Sequence, residues 1–237
     1  KHMKPNIQIG GIPKASSVEH LVTMKTWMKT IEESNQGGII NTFDMEKFFD
    51  KESLIDIMYT LCTKAGIDDY RMWYKLNEDT EIAVKTSVGE SKTEVVKNSV
   101  GQGSFGAALA SSLNIGSAIQ DTFKWTKTAS IGHLGINSLI MHDTISKLSD
   151  SLRQIRVGCD KIFDILTRKQ LSVNHTKYKY LIVASKKFRK QALEDLKLEP
   201  MKIGAMTIEH AVNEKNLGDY VSELGCKQSI NDTIKYR

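Results

Sequence analysis

The sequence predicts an α+β protein, and three observations carry that expectation. Segments with helical spacing of apolar residues are mixed with segments of strand character, without a regular strand–helix–strand repeat. The strand-like segments lie beside tight turn signals, which favours antiparallel pairing over a parallel sheet. At 237 residues the chain is long enough to bury a real core, as one large domain or two intertwined subdomains.

In chain order, residues 1–14 read as a loop punctuated by Gly10, Gly11 and Pro13. Ser16 and Ser17 offer a cap to a helix over 18–33, with Leu21, Val22, Met24, Met28 and Ile31 as its apolar positions. The run NQGG at 35–38 should stop that helix, and 39–43 reads as a buried strand. Residues 51–65 are amphipathic, with Leu54, Ile57, Met58, Leu61 and Cys62 on one stripe and Gly66 at the end. A short helix over 69–77 presents Trp73 and Tyr74. Two alternating segments, 81–87 and 92–98, predict a hairpin turning through Val88, Gly89 and Glu90.

After Gly103 a helix should run to about Leu113, and 121–130 reads as irregular. Residues 139–146 predict strand, turn and strand. The clearest helix covers 150–169, its stripe being Leu152, Ile155, Cys159, Ile162, Phe163 and Leu166. Strand follows at 179–184, a basic helix at 186–197, two short strands around Gly204, and a last strand at 215–221.

Composition narrows the class without naming a function. Hydrophobic residues make up 40% and charged residues 26%, ordinary for a soluble globular protein. No apolar run approaches the roughly 18 residues of a spanning helix. The start, KHMKPN, has no apolar signal core, so the sequence predicts an intracellular protein, cytoplasmic or nuclear, with no membrane partner. Cys62, Cys159 and Cys226 are far apart and odd in number, which argues against a disulfide framework and gives no zinc-ligand spacing. A net charge of +5 suits a phosphate-rich partner without requiring one.

Chemistry concentrates in four stretches. The first is IINTFDMEKFFD at 39–50, where an apolar strand runs into Asp44 and the pair Phe48–Phe49 follows. The second is GQGSFGAALASSL at 101–113, small residues entering a helix. The third is LIMHDTIS at 139–146, which carries Asp143 about a hundred positions after Asp44. The fourth is LSVNHTKYKYLIV at 171–183. An aspartate that ends a strand is, taken alone, most often a turn residue or helix cap. Two carboxylates on neighbouring strands, about 4.8 Å apart, would instead suit a shared pair of divalent ions.

In this order and spacing the stretches resemble the palm of a reverse transcriptase, nearest to the non-LTR retrotransposon and group II intron type. FDMEKFFD resembles motif A, which implies that Asp44 binds metal and Phe49 excludes the 2′ hydroxyl of a ribonucleotide, leaving Phe48 to the core. GQGSFGAAL resembles motif B, with Gln102 beside the incoming nucleotide or template and Gly103 allowing close backbone approach. LIMHDTIS resembles motif C: its apolar flanks set Asp143 as the metal-binding first aspartate, Thr144 in place of the second and Met141 in place of the aromatic. A one-residue slip would make His142 the substituted first position and Asp143 the second. In either register one carboxylate is missing.

LSVNHTKYKYLIV resembles motif D, with Lys177 placed to donate a proton or stabilise charge at the leaving pyrophosphate, although Lys179 is close by. EKNLGDYV resembles motif E, with Leu217 and Gly218 in the turn that grips the primer. GGIPKASSVEHL at 10–21 resembles the fingers segment that leads into motif A.

The resemblance divides the chain into partial fingers (1–36), palm with motif A (37–66), a fingers-like insertion (67–99), palm with motifs B to E (100–221) and a C-terminal stub without a thumb (222–237). It implies RNA-directed DNA polymerase activity by two-metal nucleotidyl transfer, with two Mg2+ ions (Mn2+ as a substitute), a primed RNA or DNA template and deoxynucleoside triphosphates. A degenerate retroelement copy that keeps the palm and nucleic-acid binding without catalysis is the alternative, favoured by Thr144. A palm-like cyclase is a third reading, disfavoured because cyclase chemistry has no use for a primer grip.

Overall fold

The computed structural model describes residues 14, 16–34, 36–96, 100, 106–120, 129–131, 134–136, 138–141, 144–149, 152–184, 186–217, 219–225, 228, 231, 234 and 235. Helix α1 (Ser17–Glu33) opens with Ser16, whose hydroxyl accepts from the Val18 amide. Strand β1 (Gly37–Glu46) follows, then a short turn of helix α2 (Phe48–Lys51) entered through Lys47 in the left-handed region. Helix α3 (Leu54–Thr60) is capped by Ser53 and widens into a π turn at Leu61–Ala65, and helix α4 (Ile67–Asn77) comes next. Four two-residue strands build an exposed ribbon: β2 (Glu81–Ile82), β3 (Lys85–Thr86), β4 (Gly89–Glu90) and β5 (Glu94–Val95).

Helix α5 (Ala107–Gln120) leads to the small hairpin of β6 (Ala129–Ile131) and β7 (Leu134–Ile136). Then come β8 (Ser138–Met141), β9 (Thr144–Ser149), α6 (Leu152–Arg168) and β10 (Ser172–Val173). A 3-10 turn (His175–Lys177) joins β10 to β11 (Lys179–Ala184) and α7 (Lys186–Leu198). The last elements are β12 (Lys202–Ile203), β13 (Met206–Thr207), β14 (Glu209–His210), β15 (Asn213–Asn216) and β16 (Asp219–Ser222).

Strand β1 is the centre of the molecule. The main sheet runs β14-β11-β1-β9-β8, with β10 pairing the far end of β1. All pairings are antiparallel except β11 with β14. Because successive strand residues face opposite sides, β1 supplies two cores. Ile39, Phe43 and Met45 join α6 residues Ile155, Cys159, Ile162 and Leu166 on one side. Ile40 joins Trp27, Met28 and Ile31 of α1 on the other, with Leu181, Val183 and Val221. A third cluster gathers α3, α4 and α5 around Leu54, Ile57, Trp73, Val100 and Ala107. Phe49 packs against both the first and the third cluster.

The structure corrects several expectations. Gly37 and Gly38 belong to β1 and are not a helix stop. A Cβ on Gly37 would collide with the ring of Phe188 from α7, and one on Gly38 with the ring of Trp27 from α1. Two aromatic rings therefore rest directly on the strand backbone, one per face. Of the two predicted stripes, Leu21, Met24, Met28, Ile31, Leu54, Ile57 and Leu61 are buried as expected, whereas Val22 and Cys62 are exposed and the fully buried Trp27 is not among the expected positions.

Residues 51–65 divide into a turn of α2, then α3 and the π turn, and α5 continues to Gln120, beyond Leu113. Gly89 and Glu90 lie in a return strand, not in the turn. Positions 129 and 130, expected to be irregular, belong to strand β6, while 121–128 lie outside the described residues. The single strand expected at 215–221 is the hairpin β15–β16, turning at Leu217, whose φ is 50°.

Candidate functional site at the open end of the central strand

The C-terminal half of β1 lines an open cleft of about 470 Å³. Thr42 and Asp44 are two apart and share its floor. Thr176, Lys177 and Lys179 line one side, and β15 with Leu217 forms the opposite wall. Three sequence-predicted positions, Asp44, Lys177 and Leu217, thus line one cleft although up to 173 residues separate them.

Backbone register places each group. Asp44 pairs with Thr144 across β1–β9, and Thr42 pairs with Lys179 across β1–β11. Beyond β10 the chain turns back to the strand end: the Asn174 amide donates to the Asp44 carbonyl at 2.8 Å. The Asn174 carboxamide oxygen accepts from the Thr176 amide at 3.2 Å, fixing the 3-10 turn that presents Lys177. Lys177 Nζ then donates to Asp44 Oδ2 at 2.8 Å. The carboxylate side chain is 18% exposed and the lysine 63%. The two candidate lysines of motif D are thereby distinguished: Lys177 meets the carboxylate, and Lys179 stands opposite Thr42.

The wall is fastened from behind. Lys25 Nζ donates to Asp219 Oδ2 at 2.5 Å, and Val221 sits in the α1 core. Asn216 is buried with its Nδ2 3.9 Å from Met24 Sδ. Sequence reasoning missed Glu214 on this wall. Burial pushes its carboxyl up to about 8, with Lys179 opposing, and its Oε2 is buried without a hydrogen-bond partner among the described residues. Alternation from Asp44 could have found Thr42; Glu214 gave no signal, because β15 was not separable from its turn.

Among the remaining predicted positions, Phe48 is buried in the core, as expected. The Phe49 ring lies tilted against it, centroids 5.1 Å apart, and the Phe49 carbonyl accepts from the Val100 amide at 3.0 Å. Phe49 is not among the described residues that line the Asp44 cleft; it faces the junction with α5. Asp143, Gln102, Gly103 and Gly218 lie outside the described residues. Asp143 is the chain neighbour of Thr144, the register partner of Asp44. Among the described residues no three His, Cys, Asp or Glu side chains come together as a metal cage. No helix among them is long and apolar enough to cross a membrane.

A buried polar network joins α3, α5 and the end of α6. Asn114 of α5 donates to Glu52 Oε1 at 3.1 Å, while its own oxygen accepts from Lys169 Nζ at 2.7 Å and from the Thr60 hydroxyl at 3.2 Å. Burial pushes Glu52 up to about 7, opposed by the nearby Ser111 hydroxyl, the hydrogen bond from Asn114 and the charge of Lys169. The network ties the segment that follows Asp44 to the helix that follows the glycine-rich run.

The sheet order, the flanking helices and the carboxylate at the end of the central strand define a reverse-transcriptase-like fold. Solved telomerase structures share it. The chain aligns over 92% of its length with a telomerase from Candida tropicalis truncated from its C-terminal domain, at TM-score 0.63 and 14% identity. It aligns over 92% with telomerase from Candida albicans in complex with the TWJ fragment of telomeric RNA, at TM-score 0.60 and 12% identity. These alignments cover 40% and 34% of the telomerase chains, so the protein spans two fifths or less of their length. No known protein-family profile matches the sequence. No curated protein matches it either.

Proposed function

We propose that this chain is the palm-centred part of an RNA-directed DNA polymerase of the non-LTR retrotransposon and group II intron kind. The observation that carries the reading is the cleft in which Asp44, Lys177 and Leu217 converge, with Thr144 paired to Asp44. Asp44 and Asp143 would hold two magnesium ions. The donor set supports this: Asp44 offers a carboxylate into a cleft that also holds the hydroxyl and amide oxygens of Thr42, Thr176 and Asn213, hard ligands of the kind magnesium prefers. A cation, the ammonium of Lys177, already lies against that carboxylate. Bound magnesium would activate the primer hydroxyl and neutralise the triphosphate.

The chain's own residues do the rest. Lys177 and Lys179 bring positive charge to the side of the cleft where a triphosphate would lie. The β15–β16 hairpin, braced on α1, positions the primer end. Gln102 and Gly103 would contact the nascent pair, and Phe49, packed between two cores at the junction with α5, would have to turn its ring towards the cleft to exclude a 2′ hydroxyl. The telomerase complexes with RNA are consistent with an RNA template as partner.

The test is primer extension on an RNA template with Mg2+ and deoxynucleotides, run beside Asp44→Ala. Extension that vanishes in the variant supports the reading. Thr144 favours a second reading, a degenerate copy. Tight binding of a primer–template by a chain that never extends it would establish that alternative.

A further inference from the structure

With Asp44 taken as a metal ligand, the reading on which this inference rests, its contact with Lys177 does more than place a candidate proton donor. The ammonium stands 2.8 Å from Oδ2, where a divalent ion bound to that oxygen would also have to be accommodated. Two cations on one carboxylate oxygen repel each other strongly in a partly buried site. The lysine backbone cannot retreat easily, because Asn174 fastens it to the Asp44 carbonyl and caps its turn. Its side chain can: it is 63% exposed, and a lysine stem is long and freely rotating. Lys179 and Lys215 line the same cleft, so the space into which Lys177 would swing is already electropositive and suited to an anion.

We propose that Lys177 is a tethered counter-ion that neutralises Asp44 in the metal-free chain and is expelled by the first divalent ion. Its ammonium is then available to a phosphate leaving group only once the metal is in place. The ion pair and the metal complex are thus alternatives at one oxygen, and the acid that serves the leaving group is armed by metal occupancy.

The experiment is a Mn2+ titration of the full chain followed by electron paramagnetic resonance, with Lys177→Met, which keeps the stem and removes the charge, and Asp44→Asn. Removing a partly exposed competitor should tighten Mn2+ binding by about threefold to tenfold in Lys177→Met. Isotopic dimethylation of the lysines supplies an independent readout: the Lys177 methyl resonance, identified by its loss in Lys177→Met, should move to a solvent-like position as Mn2+'s diamagnetic substitute Mg2+ is added. Unchanged or weaker Mn2+ binding in Lys177→Met, while Asp44→Asn loses it, would overturn the counter-ion proposal and leave the metal reading standing. Unchanged binding in Asp44→Asn would overturn the metal reading and the proposal with it.

Discussion

Glu52 shows what a single buried group does to this molecule. An unfolded glutamate titrates near 4.5, whereas burial holds Glu52 at about 7 in the folded chain. Between those values the folded protein keeps a proton that the unfolded one has lost. Stability from this group is therefore fully present below about 4.5 and falls as pH rises towards about 7. Glu214 acts in the same direction up to about 8, and His20, lowered to about 4 by burial, acts oppositely below 6.5. In urea unfolding at pH 5 and pH 8, Glu52→Gln should be less sensitive to the change than the parent, by up to about 3 kcal/mol. Equal pH sensitivity in the two proteins would show that Glu52 does not hold its proton.

At the same scale, the sequence discloses Asp44 but not its surroundings. Asp44 is legible because an apolar strand that ends in an acid is a rare arrangement when an aromatic pair follows. Lys177 and Lys179 cannot be told apart by spacing; register decides, since Lys179 is pinned opposite Thr42 and Lys177 sits on the capped turn. Glu214 is hidden for a different reason. Its burial depends on a hairpin whose turn residue, Leu217, is a poor former of the left-handed conformation it adopts.

At the scale of elements, β1 explains why helix and strand boundaries are misplaced by local patterns. Both of its faces are covered, so its apolar run carries no alternation from which its length could be read. A glycine pair after a helix ordinarily marks a stop; here it makes room for Trp27 and Phe188, residues 10 or more positions away in sequence. Gly38→Ala should destabilise the fold by about 1–3 kcal/mol, because the methyl group would displace a fully buried tryptophan ring. Thermal unfolding with Trp fluorescence checks this, and an unaltered midpoint would mean that the ring does not rest on the strand. The single-sided helices, by contrast, are plain in the sequence. Helix α6 keeps Ile155, Cys159, Ile162 and Leu166 buried as its spacing predicts, because one face meets the sheet and the other meets water.

For the whole molecule, the fold class follows from the mixture of patterns, and the sheet order does not. Antiparallel pairing is expected, yet the insertion of β1 between β9 and β11 joins segments about a hundred residues or more apart, a non-local arrangement that no local pattern encodes. The proposed polymerase chemistry belongs to this scale, since two acids distant in the chain would share one pair of ions. Fe2+ in place of Mg2+, with ascorbate and peroxide, generates hydroxyl radicals that cut the backbone nearest the bound ion, and sequencing the fragments maps those cuts. A shared ion pair predicts cleavage at 42–46 together with 142–145, both lost in Asp44→Asn. Cuts confined to one of these segments, or cuts at both that persist in Asp44→Asn, would contradict it.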